Sequence, residues 1–104
     1  MELQKLETKL SQIAKNYISI QNAFLTHTIS SKYEDISNPF IQFCLGVEQA
    51  FYSLSSPLKK IINNEFFYQA YQGWWKEIYN AHHFKQLRKV AIYKFMEAYY
   101  EQEQ

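Results

Sequence analysis

The stretch Tyr79–Phe95, YNAHHFKQLRKVAIYKF, gathers two of the three histidines and four of the eleven Lys and Arg residues in this 104-residue chain. His82 and His83 stand side by side, followed by Lys85, Gln86, Arg88 and Lys89. Adjacent residues on a helix point about 100° apart, whereas ligand pairs that share a face stand at i, i+3 or i, i+4. His82 and His83 therefore make a poor metal pair, His27 is the only other histidine, and no metal-ligand spacing is met. A second chemistry suits the same residues better. His, Lys and Gln near the start of a helix donate to phosphates or base edges, with Gln suited to adenine and Lys to guanine. The plain alternative is a solvated polar face.

Catalysis finds no foothold. There is no Gly-rich phosphate loop, no nucleophile elbow and no paired-carboxylate motif. No cofactor and no small-molecule ligand are implied, and the chain is not read as an enzyme. Cys44, the single cysteine, lies in the apolar run PFIQFCLGVEQAF, so it reads as a buried thiol that packs as a small hydrophobe. Trp74 and Trp75 are adjacent, so one is expected to anchor the core while the other stays partly exposed.

The charge is unevenly placed. Residues 1–56 balance at −1; residues 57–94 carry Lys59, Lys60, Lys76, Lys85, Arg88, Lys89 and Lys94 against Glu65 and Glu77, a balance of +5; residues 95–104 carry three glutamates. Such asymmetry suits an anionic partner for the middle segment. The opening MELQKLETKL has no signal-peptide pattern, and no apolar run approaches the roughly 18 residues of a membrane span. The expected setting is the cytoplasm.

These residues must be held by helices. Gly and Pro number two each, too few for the turns of an all-β fold, while 47% hydrophobic and 18% aromatic residues supply a core. Leu3, Leu6, Leu10, Ile13, Tyr17, Ile20 and Phe24 repeat at 3-4-3-4-3-4 spacing. That pattern predicts a long first helix over about 2–27, with a heptad seam able to pair with a second copy of the chain or to lie on the core. Ala14, Ile18 and Leu25 widen the stripe. Residues 26–38 read as a loop. Asn38-Pro39 opens a second helix, about 39–53, with Phe40, Phe43, Cys44, Val47, Phe51 and Leu54 on its stripe and Gly46 inside it.

Ser56-Pro57 opens a third helix to about 68. Residues 69–73 read as a turn, 74–79 as a short helical piece, and Asn80 as the cap of a last helix over about 81–100. On that helix Phe84, Leu87, Ala91, Phe95 and Ala98 share one side, with Ile92 and Tyr99 on its flank. His82, Lys85, Gln86, Lys89 and Tyr93 share the other, with Arg88 and Lys94 at the margins.

The segments VEQAFYSLSSPLKKIINNEFF (47–67) and WWKEIYNAHHFKQLRKVAIYKF (74–95) resemble the C-terminal half of ArpU-like phage transcriptional regulators and their small relatives in low-GC Gram-positive bacteria and mollicutes. That half is similar in layout to region 4 of the primary sigma factors. The matched positions are Val47, Glu48, Ala50 and Leu54, then Ile61 and Ile62, then Trp75 and Tyr79, then Phe84, Arg88, Ala91 and Phe95. The resemblance covers about half of the chain and leaves out residues 1–38. Relatives place Ser-Thr and a basic residue at the start of the last helix. Here His82, His83 and Gln86 stand in those places, so the resemblance carries the fold further than the base reading.

The expectation is a single all-α domain over 1–104: a four- to five-helix bundle with a long N-terminal helix and a helix-turn-helix-like C-terminal half over 39–100. Its leading role is a small transcription-associated regulator that binds double-stranded DNA or RNA polymerase. Lys85, Gln86 and Lys89 would contact DNA, with His82 and His83 at the helix start and Lys59 and Lys60 holding phosphate. The rival is a protein–protein interaction module, a homodimer through Leu3–Phe24, with no nucleic-acid role.

Overall fold

The computed structural model describes residues 2–26 and 38–102. All but the two ends of the loop expected over 26–38, His27 included, lies outside the described residues. Among the described residues there are four α-helices: α1 (Leu3–Leu25), α2 (Pro39–Tyr52), α3 (Ser56–Ile62) and α4 (Ala81–Gln102), with a π-helical turn (Asn63–Phe67) continuing α3. No strand occurs among the described residues. The long N-terminal helix and the all-α class follow the sequence pattern.

The heptad seam of α1 is used within the chain. Leu6, Leu10, Ile13 and Phe24 are buried, and Leu3, Tyr17 and Ile20 pack partly buried beside them. The stripe faces α4, the π turn and α2. Ala14 joins it as a fully buried residue, whereas Leu25, expected on the same stripe, is 77% exposed at the helix end. A seam of this period suits a coiled coil and a helix lying on a globular core equally well, because both bury the a and d positions.

Asn38 and Pro39 start α2 as the sequence predicts. The Asn38 side chain accepts a hydrogen bond from the Phe40 N–H at 2.9 Å, and the proline sits where its missing N–H costs nothing. The buried stripe is rotated from the expected one. Ile41 is fully buried and Phe40 is 45% exposed. Gly46 is not there for a close helix approach either: a methyl group built on it would meet only the Gln102 Cβ, at 3.8 Å, an ordinary contact. At the third helix the cap position is Ser55, one residue earlier than Ser56, and its side chain makes no capping hydrogen bond.

Beyond Ile62 the helix widens. The Tyr68 N–H reaches the Asn63 carbonyl at 3.0 Å, a five-residue step in place of the four-residue step of an α-helix. Over the widened turn Phe66 and Phe67 are both buried and Glu65 is partly buried.

Residues 68–80 then lead to α4. The helical piece expected over 74–79 is replaced by successive turns, with Trp74 N–H to Tyr71 O, Lys76 N–H to Gly73 O and Ile78 N–H to Trp75 O, each spanning three residues. Gly73 has φ of 83°, a left-handed value that no helix continues through and that favours glycine. A six-residue segment also offers too few hydrogen bonds to offset helix nucleation. The link between α3 and α4 is therefore longer than the roughly three- to four-residue turn of a helix-turn-helix unit.

Asn80 caps α4: its side chain accepts from the His83 N–H at 2.8 Å, and its carbonyl accepts from the Phe84 N–H at 2.9 Å. The helix packs against α1, α2 and α3 at once. Phe84, Ala91, Ile92, Phe95, Met96 and Tyr99 are its buried residues. Ile92, expected on the flank, is fully buried, and Met96, which the sequence reading left unplaced, is buried as well, because the C-terminal half of α4 is covered on more than one side. Leu87 and Ala98, expected on the dry side, are only half-buried.

Cys44 is fully buried with Phe24 and Ile41. Burial pushes its thiol above the ordinary value, partly opposed by a hydrogen bond with Gln21 and reinforced by the nearby Glu48 carboxylate. The thiolate is the reactive form, so alkylation in native buffer is expected to be slow and to accelerate only when denaturant opens the core. Mass spectrometry of iodoacetamide-treated protein checks this. The linkage has a definite sign. A thiol raised in the folded state contributes stability below the unfolded thiol value near 9.0 and loses it as pH climbs through the folded value.

Candidate nucleic-acid interface

The N-terminal half of α4 presents His82, Lys85, Gln86 and Lys89 to solvent, all exposed, with Tyr93 at the end of the same face. Lys85 and Lys89 stand four residues apart, as do His82 and Gln86, so each pair shares a side of the helix. Among the described residues no ion pair engages Lys85 or Lys89. His83 is exposed too, but its ring meets Tyr79 edge-on at 5.5 Å and its backbone is held by the cap.

The two α3 lysines diverge. Lys60 is exposed, and its ammonium lies 6.0 Å from the centre of the Trp74 ring. Trp74 in turn meets Phe84 of α4 edge-on at 5.7 Å. Lys60 thus approaches the ring that packs on Phe84 of α4. Lys59 is turned to α2, where its ammonium sits 5.2 Å from the Tyr52 ring. Consecutive helical residues cannot share a face, so the expected pair of phosphate-holding lysines is split.

Arg88 departs most from its expected place at the margin of the basic face. Its Nε donates to Glu65 Oε1 at 2.7 Å, and a terminal nitrogen donates to Glu7 Oε1 at 2.9 Å. The guanidinium also lies 5.1 Å from the centre of the Phe66 ring. The other Glu65 oxygen accepts from the Trp74 indole N–H at 2.9 Å. Four side chains from α1, the π turn, the 68–80 link and α4 are thereby tied together. No local pattern tied Glu7 or Glu65 to Arg88, because the partners are distant in sequence.

The tryptophan pair divides as its adjacency predicts. Trp74 is buried, while Trp75 is partly exposed and stacks on Phe84 with ring centres 4.5 Å apart. Lys94 belongs to a different surface, a shallow depression lined also by Ser53, Ser55, Glu97 and Glu101. The acidic end of α4 is thus set apart from its basic start.

Among the described residues no group of three or more His, Cys, Asp or Glu side chains is placed to hold a metal ion, and no helix is long and apolar enough to cross a membrane. A pocket of about 170 Å³ opens between α1, α2 and the π turn, lined by aromatic rings and Glu48; the sequence offered no sign of it. No family model matches this chain, and neither a curated protein nor a solved structure matches it.

Proposed function

We propose that this protein binds double-stranded DNA, as a small transcription-associated regulator, through the N-terminal half of α4. The observation that carries the reading is the pair Lys85 and Lys89, exposed one turn apart on one face and without an acidic partner among the described residues. His82 and Gln86 add donors along the same face. Lys60, exposed on α3, is assigned the third phosphate contact, whereas Lys59 lies against the Tyr52 ring. The helix start also carries partial positive charge from its backbone dipoles, while Glu97 and Glu101 repel phosphate from the far end. The resemblance of residues 47–67 and 74–95 to ArpU-like regulators is in keeping with this reading, though His82, His83 and Gln86 depart from that pattern.

A dimer through Leu3–Phe24 fits less well. A second copy would have to displace the chain's own α2 and α4 from Leu6, Leu10, Ile13 and Phe24.

Counterion release gives the test. Three lysine–phosphate contacts predict that log affinity for duplex DNA falls with log salt at a slope of about −3. The double reversal Lys85→Glu/Lys89→Glu is expected to weaken binding at least tenfold and to shrink that slope by about two units. Both side chains are exposed, so the fold should shift by no more than about 0.5 kcal/mol. Fluorescence anisotropy with a mixed-sequence duplex reads the result. Binding that is unchanged by the double reversal removes the proposed face.

A further inference from the structure

The pocket between α1, α2 and the π turn is lined by Tyr17, Phe51, Tyr52, Phe67, Tyr68 and Glu48, with Val47 and Asn63 completing it. Among the described residues five aromatic rings and one carboxylate make up most of this wall, and no lysine or arginine lines it, although the Lys59 ammonium stands against the Tyr52 ring. Phe67 and Val47 are buried and form the floor, whereas Tyr52 and Tyr68 are 69% and 70% exposed and form the rim. The rings are braced edge to face: Tyr17 on Phe67 at 5.8 Å, Phe51 on Tyr52 at 5.3 Å and Phe51 on Phe67 at 6.3 Å. The Tyr17 hydroxyl donates to Glu48 Oε2 at 2.6 Å, which fixes the carboxylate at the wall.

Aromatic faces carry negative electrostatic potential and attract cations, most strongly where water is excluded. The Glu48 carboxylate, held by the Tyr17 hydroxyl, lies beside them and adds to the negative potential. The chain shows this attraction at the rim, where the Lys59 ammonium rests 5.2 Å from the Tyr52 ring. The volume of about 170 Å³ is on the scale of the roughly 150 Å³ cavity that accepts benzene. A trimethylammonium group is of comparable bulk. Its methyls suit apolar ring faces, and its diffuse charge gives up hydration more readily than a primary ammonium does.

We propose that this pocket is a binding site for a trimethylammonium group, with the Tyr17, Phe51, Tyr52, Phe67 and Tyr68 rings as the cage and Glu48 as the counter-charge. The site is separate from the α4 face and stands or falls without the DNA reading.

Choline is the first probe, titrated into the full chain and followed by NMR of the aromatic and Val47 methyl signals. Its neutral isostere 3,3-dimethylbutan-1-ol, equal in shape but uncharged, is the control. Choline is expected to bind in the millimolar range and about tenfold tighter than the isostere. Glu48→Gln and Tyr52→Leu are each expected to weaken choline several-fold; Tyr52 is at the rim, so its replacement leaves the core intact. N-acetyl-trimethyllysine methylamide is the second arm. Tighter binding of that compound assigns the site to a modified lysine of a partner, and tighter binding of choline to a free metabolite; either supports the proposal. Equal binding of choline and its isostere, no binding of either cation, or choline affinity untouched by both substitutions overturns it.

Discussion

Phe95→Ala is expected to remove about 3–5 kcal/mol of stability, the cost of deleting a fully buried phenylalanine and leaving a cavity. Domains of this kind are stabilised by about 5–15 kcal/mol in total, so the variant should sit near or past its folding threshold at ambient temperature. Phe95 is 0% exposed. It stacks on Tyr99 with ring centres 6.4 Å apart and meets Phe67 of the π turn at 6.1 Å. It thus joins α4 to the turn that lays Phe66 and Phe67 in the core. Phe40→Ala is the matched control. The same atoms are deleted from a side chain 45% exposed on α2, and the loss should stay within about 1 kcal/mol. Urea unfolding followed by circular dichroism separates the two, since the midpoint should drop steeply for Phe95→Ala and hardly at all for Phe40→Ala. Equal losses would mean that the packing around Phe95 is not as described.

Arg88→Met is expected to cost about 2–3 kcal/mol, second only to the loss of a core aromatic. The variant forfeits two charge-assisted hydrogen bonds and leaves Glu7 and Glu65 facing one another without their shared cation. The figure stays below that of a fully buried ion pair, because Arg88 and Glu7 retain 26% and 35% side-chain exposure and water screens what remains. The two acids should respond unequally. Glu7→Gln loses one of the two anchors of Arg88, and about 0.5–1 kcal/mol is expected. Glu65→Gln disturbs both Arg88 and the Trp74 indole, and about 1–2 kcal/mol is expected. A double-mutant cycle between Arg88→Met and Glu65→Gln should return a coupling of at least about 0.5 kcal/mol. Additive losses would show that the two groups act independently, and a loss for Arg88→Met no greater than for a surface lysine would remove the network as a structural device.

The Arg88 network also changes how the positive segment is to be counted. Residues 57–94 carry seven cations. Arg88 is spent on Glu7 and Glu65, Lys59 on Tyr52, and Lys94 lies beside Glu97 and Glu101. Four remain: Lys76, whose side chain lies over Gly73 in the 68–80 link, and Lys60, Lys85 and Lys89. Charge arithmetic along a chain overstates an interface for this reason: it sums cations that the fold assigns to separate surfaces.

Local signals were legible in the sequence because they act over a turn or less. Asn38-Pro39 and Asn80 mark helix starts through side chains that reach backbone N–H groups two or three residues away. The two sides of α4 follow from a 100° step per residue, which is why His82, Lys85, Gln86 and Lys89 could be placed on the wet side before any coordinates. The same rule erred where burial depends on neighbours. Phe40 has helical spacing with the α2 stripe yet lies outside, and Met96 lies inside though it shares an angle with exposed Lys85 and Lys89. One covered half and one open half of a single helix cannot be told apart by periodicity.

By itself, then, the chain's order of residues determined an all-helical architecture, the beginnings of α2 and α4, a long apolar seam on α1 and the division of Trp74 from Trp75. Each of these rests on backbone geometry shared by every helix. Tertiary structure alone decided that the seam is filled from within, that Arg88 turns inward to an acid 81 positions away, and that Tyr17 and Glu48 meet beside four other aromatic rings. Those outcomes depend on which distant surfaces come together. A one-dimensional pattern holds the periods of the surfaces but not their pairing.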